Sequence, residues 1–212
     1  MALKLVSEPI REVFGGDVAA FLSSGDAFFN GVGTLLEQQV DRASPLEQAV
    51  LYWLAVAREP TTLDHLVAAR AGDGHRGAVL RALEALRHRA LIERVGRGAS
   101  FTLQPVIMEY MTARLVADVC RDIERGAPVR IVRHALVQAT SKDYVRRSQE
   151  RLIAAPVLNQ LVASYGGAEE AARRLVAVLG SWRRRPPLEQ GYGPGNVVNL
   201  LRLLRGDLCG LD

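Results

Sequence analysis

The apolar residues of this chain change their period once, and that change limits the fold more than any other feature. From Pro45 to Arg89 they recur every three or four positions, the repeat of an amphipathic helix. After Arg89, Leu91-Ile92-Glu93-Arg94-Val95 and Ser100 to Leu103 read as short strands on either side of a Gly96-Arg97-Gly98 turn. The helical part divides in three. Ser44-Pro45-Leu46-Glu47 is a strong helix start, with a capping serine, a proline at the first helical position and a glutamate three residues after the cap. That helix passes through Val50, Leu51 and Leu54 and stops before Pro60. Thr61 or Thr62 caps a second helix, Leu63 to Ala71. A Gly72-Asp73-Gly74 loop leads to a third, Arg76 to Arg89, with Leu80, Leu83 and Leu86 expected on its inner side. Three short helices followed by a small hairpin is the order of a winged helix-turn-helix. The expected fold is therefore mainly α, a winged helix with a β-hairpin wing followed by an α-helical region.

The flanks are helical as well. Ahead of Ser44, a short helix over Ala2 to Val13 broken at Pro9, a second over Val18 to Leu22 and a third over Val32 to Val40 are expected, with a loop at Ser23-Ser24-Gly25-Asp26. After the hairpin, Pro105 opens a long helix through Met108, Met111, Leu115, Val119 and Ile123. Further helices are expected over Val129 to Leu136, over Ser141 to Leu161 with a break at Pro156, over Ala168 to Leu179 and over Asn196 to Leu204. Arg183 to Gly195, rich in proline and glycine, reads as a loop or linker. The division is 1–43 as a helical lead, 44–104 as the winged helix, 105–182 as a helical spacer and 183–212 as a linker with a short helix.

The 212 residues are enough for one large or two small domains with a real core. No apolar run reaches the roughly 18 residues of a membrane span, and the first residues lack the pattern of a signal peptide. A cytoplasmic protein with no membrane partner is expected, its two cysteines, Cys120 and Cys209, being buried or incidental thiols in a reducing compartment. The net charge is only +4, and the basic residues gather locally, at Arg183-Arg184-Arg185 and more loosely at Arg130, Arg133, Arg146, Arg147 and Arg151. Such groups suit a solvated helix face or an anionic partner. There is no phosphate-cradling Gly-x-x-x-x-Gly-Lys-Ser/Thr loop and no strand ending in paired acids. The four histidines, His65, His75, His88 and His134, have no metal-ligand spacing. The chain is not expected to be an enzyme, to bind a metal or to hold a cofactor by itself.

Several stretches, taken in order, carry a family resemblance. They are Ala2-Leu3-Lys4-Leu5-Val6, Phe14-Gly15-Gly16-Asp17 through Leu22, Ser44 through Ala55, Leu91-Ile92-Glu93-Arg94, Phe101 through Tyr110, and Gly191-Tyr192-Gly193-Pro194-Gly195-Asn196 through Asp212. The chain resembles bacterial NB-ARC proteins of the STAND class of signalling NTPases, in the stretch between their ATPase core and their pentapeptide-like or WD-type repeats. The resemblance implies that 1–43 is the end of the ATPase module and that the winged helix is a nucleotide-dependent switch. The partners it implies are a nucleotide-binding core and a repeat domain in the same protein, with self-association on activation. ADP or ATP with magnesium would be held by that core, outside this chain. In the family a Met-His-Asp or Leu-His-Pro motif closes the winged helix, and its histidine contacts the ADP phosphate. Leu103-Gln104-Pro105 stands at that place, with Gln104 where the histidine would be. The resemblance thus assigns Gln104 and Pro105 to nucleotide sensing, a neutral amide replacing a charge-assisted donor.

Two other readings stand beside it. In a winged-helix transcription regulator the third helix would enter the major groove. Arg76, Arg81 and Arg87 on that helix, with Arg94 and Arg97 on the wing, would then contact nucleic acid, although Glu84 sits in the middle of the same face. DNA is not the expected partner under the first reading. The third reading is a remnant of a broken gene with no function of its own.

Overall fold

A computed structural model describes residues 25–69, 75–96 and 99–206. The helices expected over Ala2 to Val13 and Val18 to Leu22, the Gly72-Asp73-Gly74 loop, Arg97 and Cys209 lie outside the described residues. Eleven α-helices and a small three-stranded sheet make up the described chain.

Helix α1 spans Gly25–Asp41, longer than the expected Val32 to Val40 and including Gly25 and Asp26, which read as loop. It places Leu36 and Val40 in the core. Helix α2, Pro45–Ala57, starts as its sequence demands. The Ser44 Oγ accepts from the Glu47 backbone N–H at 3.3 Å, and the Glu47 carboxylate accepts from the Ser44 N–H at 2.7 Å. From Val50 to Ala57 every residue of α2 is buried. Strand β1, Thr61–Thr62, leads directly into α3, Leu63–Ala69, where the Thr62 hydroxyl accepts from the His65 N–H. Helix α4, Arg76–His88, buries Val79, Ala82, Leu83 and Leu86. Leu80, expected inside, is instead 41% exposed, because Val79 and Ala82 complete the inner stripe that Leu83 and Leu86 begin.

Strands β2, Ile92–Val95, and β3, Ser100–Leu103, form the hairpin. The sheet order is β1-β3-β2, antiparallel throughout, with Thr61 opposite Phe101 and Ile92 opposite Leu103. The two-residue β1 had not been read from sequence, since it is too short to show a period of two.

Pro105 opens α5, Pro105–Glu124, whose Ile107, Met111, Leu115, Val119 and Ile123 run along the core. Helix α6 covers only Val129–Arg133. The helix expected on to Leu136 ends there because His134 turns to extended backbone, and residues 134–142 run as an irregular segment. Helix α7, Asp143–Gln149, and α8, Ala155–Tyr165, form one continuous rod instead of two helices broken at Pro156. A π-helical segment, Glu150–Ala154, joins them, with the Ala155 N–H donating to the Glu150 carbonyl five residues back. Proline lacks the N–H an α-helix would use at that point and crowds the carbonyl four residues earlier. Widening the ladder by one residue just before Pro156 accommodates both.

Helix α9, Ala168–Trp182, is followed by α10, Pro187–Gln190, and α11, Gly193–Arg205. The stretch read as a linker is therefore partly helical and packed. The Tyr192 N–H donates to the Val132 carbonyl at 2.9 Å, and the Tyr192 hydroxyl donates to the Ala69 carbonyl at 2.9 Å. Gly193 lies against the Trp182 ring so closely that a Cβ there would sit 2.7 Å from its Cη2. Val197, Leu200 and Leu201 then join the common core.

That contact yields a paired test. Gly193→Ala should lower the unfolding free energy by about 1–3 kcal/mol through overpacking. Gly195→Ala, two residues on and with nothing within 4 Å of the added carbon, should leave it within about 1 kcal/mol of the parent. Urea denaturation of the two variants side by side checks both.

Candidate functional site

The sheet-bearing part of the chain and the helical part meet through buried polar groups. Tyr52, on α2, donates its hydroxyl to Asp118 of α5 at 2.6 Å. Asp118 also receives Arg121 Nη1 at 2.6 Å and lies 3.0 Å from Arg130 Nε. Arg130 closes the cluster on Asp122, which accepts its guanidinium at 2.8 Å and its backbone N–H at 3.0 Å. Burial pulls the Arg130 guanidinium down, but the two carboxylates outweigh it and hold it above its ordinary value. Tyr52 is pushed up to about 12, first by burial and then by the carboxylate it serves. Phenol and guanidinium therefore keep one protonation state across the ordinary pH range.

Two amides tie the irregular segment down. Asn196, at the start of α11, donates to the carbonyls of Ile131 and His134 and accepts from the Leu136 N–H, all within 2.8 Å. Gln149, fully buried, donates to the Val56 carbonyl at 2.8 Å and accepts from the Gln138 N–H at 2.9 Å. A buried amide left unpaired would cost about 1–3 kcal/mol, so such full use fixes one backbone course.

Behind these bonds the His134 ring packs edge-on to Tyr52 at 5.4 Å and against Trp53 at 5.1 Å between centroids. It is buried, and its Nδ1 has no hydrogen-bond partner. Burial, with the charges of Arg133 and Arg130 adding to it, drives its pKa down to about 3. His134 is a neutral packing ring, and Trp53 passes its contact on to Tyr192 at 5.3 Å.

In front of Trp53 an open cleft of about 690 Å³ lies between the end of α2, β1 and α3 on one side and residues 135–142 and the start of α11 on the other. Trp53, Leu66, Val137 and Tyr192 form its apolar floor, and Glu59, His65, Lys142 and Asn199 stand among its polar groups. Lys142 Nζ and the Tyr144 hydroxyl both donate to Glu59 Oε2 at 3.1 Å. The Lys142 bond, ahead of the smaller contribution of Tyr144, holds the Glu59 carboxyl below its usual range.

The residues singled out in the sequence are not brought together here. Gln104 is the N-cap of α5 and is buried, its amide donating to Glu93 Oε1 at 2.9 Å. Pro105 stands beside it at the exposed first position of that helix. Arg76, Arg81 and Arg87 are exposed on the outer side of α4 along with Glu84 and His88, the face that the sequence marked. Arg76 is ion-paired with Asp64 of α3. Arg94 is exposed on β2. Of the looser arginine group, Arg130 is committed to Asp118 and Asp122 and Arg146 to Asp143. Cys120 is buried with its thiol pushed up to about 12 by that burial. Among the described residues no three His, Cys, Asp or Glu side chains are grouped to hold a metal ion, and no helix is long and apolar enough to cross a membrane.

The Tyr52–Asp118–Arg130 cluster and the roles of His134, Gln149 and Asn196 do not emerge from the sequence, where Arg130 reads only as one of a loose basic group and His134 only as a histidine without metal-ligand spacing. Asp118 and Asp122 leave a trace as carboxylates one turn apart beside the apolar stripe of α5.

No family model matches the chain, and no solved structure matches it. It is 36% identical to an uncharacterized WD repeat-containing protein of Nostoc sp., over 100% of this chain and 20% of the relative. The chain thus spans a fifth of the length of that relative.

His134 makes stability depend on pH in a calculable way. Its folded pKa lies far below the ordinary imidazole value of about 6.5, so the unfolded chain takes up a proton that the folded one refuses. The stability present above pH 6.5 is lost progressively as pH falls towards 3. Between pH 7.5 and 5 the loss from this ring is about 2 kcal/mol. His134→Phe keeps a ring between Tyr52 and Trp53 and removes the titration. Its stability relative to the parent should improve by that amount over the same interval, measured by denaturant unfolding at the two pH values. An unchanged difference would show that His134 titrates normally.

Proposed function

We propose that this chain is the winged-helix and helical segment of a STAND-class, NB-ARC-like signalling protein, and that it acts as the lever of a nucleotide-dependent switch without catalytic residues of its own. The observation that carries the reading is topological. Helix, strand, helix, helix, strand, strand, with sheet order β1-β3-β2 and a long helix leaving the last strand, is the order a winged helix would have and supports that reading. The relative supports the same reading. Its printed name refers to WD repeats, which are all-β units, whereas the fifth of it that matches this chain corresponds to a mainly helical segment. The repeats of a protein of this kind would then lie outside such a segment, as the STAND reading expects.

In this proposal the nucleotide sits on a core outside the chain, and its exchange selects between two packings of the lever. The buried bonds from Tyr52 to Asp118 and from Gln149 to Val56 make the sheet-bearing part and the helices after it move together. Gln104 enters the mechanism through its bond to Glu93, which pins β2 to the start of α5. A phosphate that takes the same N–H displaces the carboxylate, and Gln104 would then report nucleotide by exchanging partners.

The test begins with the gene on both sides of this reading frame. The proposal expects a P-loop upstream and repeats downstream, in frame or one frameshift away. In the longer protein, amide exchange over 91–108 should then slow in ADP relative to ATP. Flanks with neither feature, or exchange indifferent to nucleotide, would overturn it. Binding of duplex DNA by this chain would favour the regulator instead. Arg76→Ala, Arg81→Ala and Arg87→Ala together would then weaken that binding and reduce its salt dependence by about one unit of slope per lost phosphate contact. The lever reading expects no duplex binding to lose.

A further inference from the structure

The cleft in front of Trp53 has no part in the switch just described, and its lining is selective. We infer that it is a binding site for a small organic anion with an apolar, planar body, such as a fused-ring or aryl carboxylate. The volume of about 690 Å³ is in the range of small-molecule sites, which favour seams between packed units and combine an apolar floor with a few placed polar groups. Trp53, Leu66, Val137 and Tyr192 supply that floor, and the bond from Tyr192 to the Ala69 carbonyl fixes one wall of it to the end of α3.

The charge of the ligand follows from what the lining leaves unmet. The one carboxylate that lines it among the described residues, Glu59, accepts from both Lys142 and Tyr144 on the same oxygen, Oε2, and its charge is already met by the ammonium. Lys142 is an ammonium with three donors, of which Glu59 takes one. Its side chain is 65% exposed at the rim, free to swing onto an incoming anion while Tyr144 keeps Glu59. The Asn199 amide and the Thr140 hydroxyl add donors on the same lining, the Ser141 hydroxyl being committed to Gln138 Oε1 at 3.0 Å. The first turn of α11, which also borders the cleft, has no acidic residue and no capping side chain. Its dipole adds a positive sign to a lining in which Lys142 and Glu59 balance as long as they stay paired.

Calorimetric titration of the whole chain with 2-naphthoate, 2-naphthylmethanol and 2-naphthylmethylamine tests the class directly. The carboxylate should bind roughly tenfold more tightly than the alcohol and more tightly still than the amine. Lys142→Ala should remove most of that preference. Ala68→Trp, at an exposed lining position, should block the cleft and abolish binding, with an unchanged melting temperature showing that the fold survives. No heat with millimolar naphthoate, equal binding of the three probes, or naphthoate binding untouched by Ala68→Trp would each overturn the assignment. The outcome does not depend on the gene neighbourhood or on nucleotide, so it stands or falls separately from the lever.

Discussion

From Val50 onward helix α2 has no face left for water, and the rest of the molecule is arranged to satisfy it. Val50 through Ala57 are all buried. A helix that is apolar all round needs cover on every side. Helix α4 and strand β3 cover it from its own end of the chain, and α5 covers it from the other. The remaining cover comes from far along the sequence, as His134 against Tyr52 and Trp53 and Tyr192 against Trp53. The sheet-bearing unit therefore cannot bury its own first helix without the chain beyond residue 130. Each apolar side chain so covered contributes about 1.5–3 kcal/mol relative to exposure, so separation of the two parts would be expensive even before polar groups are considered.

The polar groups sharpen that packing into one arrangement. Apolar contact alone tolerates sliding, whereas Asn196 and Gln149 accept only one register of residues 131–138, because each engages backbone groups at both its oxygen and its nitrogen. The charged cluster works in the same way. Asp118 and Asp122 are buried while the guanidinium of Arg130 is partly solvated, so removing Arg130 leaves two buried carboxylates short of their cation. Asp118 is shared by Tyr52, Arg121 and Arg130, so α2, α5 and α6 are held by a single carboxylate. The exposed pairs, such as Lys142 with Glu59, carry little of this load.

What could be read from the sequence divides along the same line. Local signals were legible. The Ser44 cap, Pro105 at a helix start, the inner stripe of α5 and the outward arginines of α4 all follow from spacing within one turn or two. Where tertiary partners decide the local structure, the spacing misled. Pro156 reads as a break, yet a π-helical widening absorbs it. Gly191 to Gly195 reads as linker, yet its small residues are what allow the chain to pass against Val132 and Trp182. The cleft and its backing ring were invisible for the same reason, since Trp53, His134 and Tyr192 meet only once the chain has folded back on α2.

That origin also bears on how such a segment could act as a lever. A switch needs two discrete packings separated by a few kcal/mol, and a seam with cheap contacts is where such a choice would lie. The seam between α2 and the helical region is of the opposite kind, tied by buried hydrogen bonds at Gln149, Asn196 and Asp118. Motion is more cheaply accommodated at surfaces where the described chain shows fewer commitments. The outer side of α4, with Leu80, Arg81 and Arg87, and the exposed start of α5 at Pro105 and Val106 are such surfaces. Under the lever proposal a partner would dock there and leave the core undisturbed, and Gln104, buried at the N-cap of α5 and bonded to Glu93, stands next to that surface.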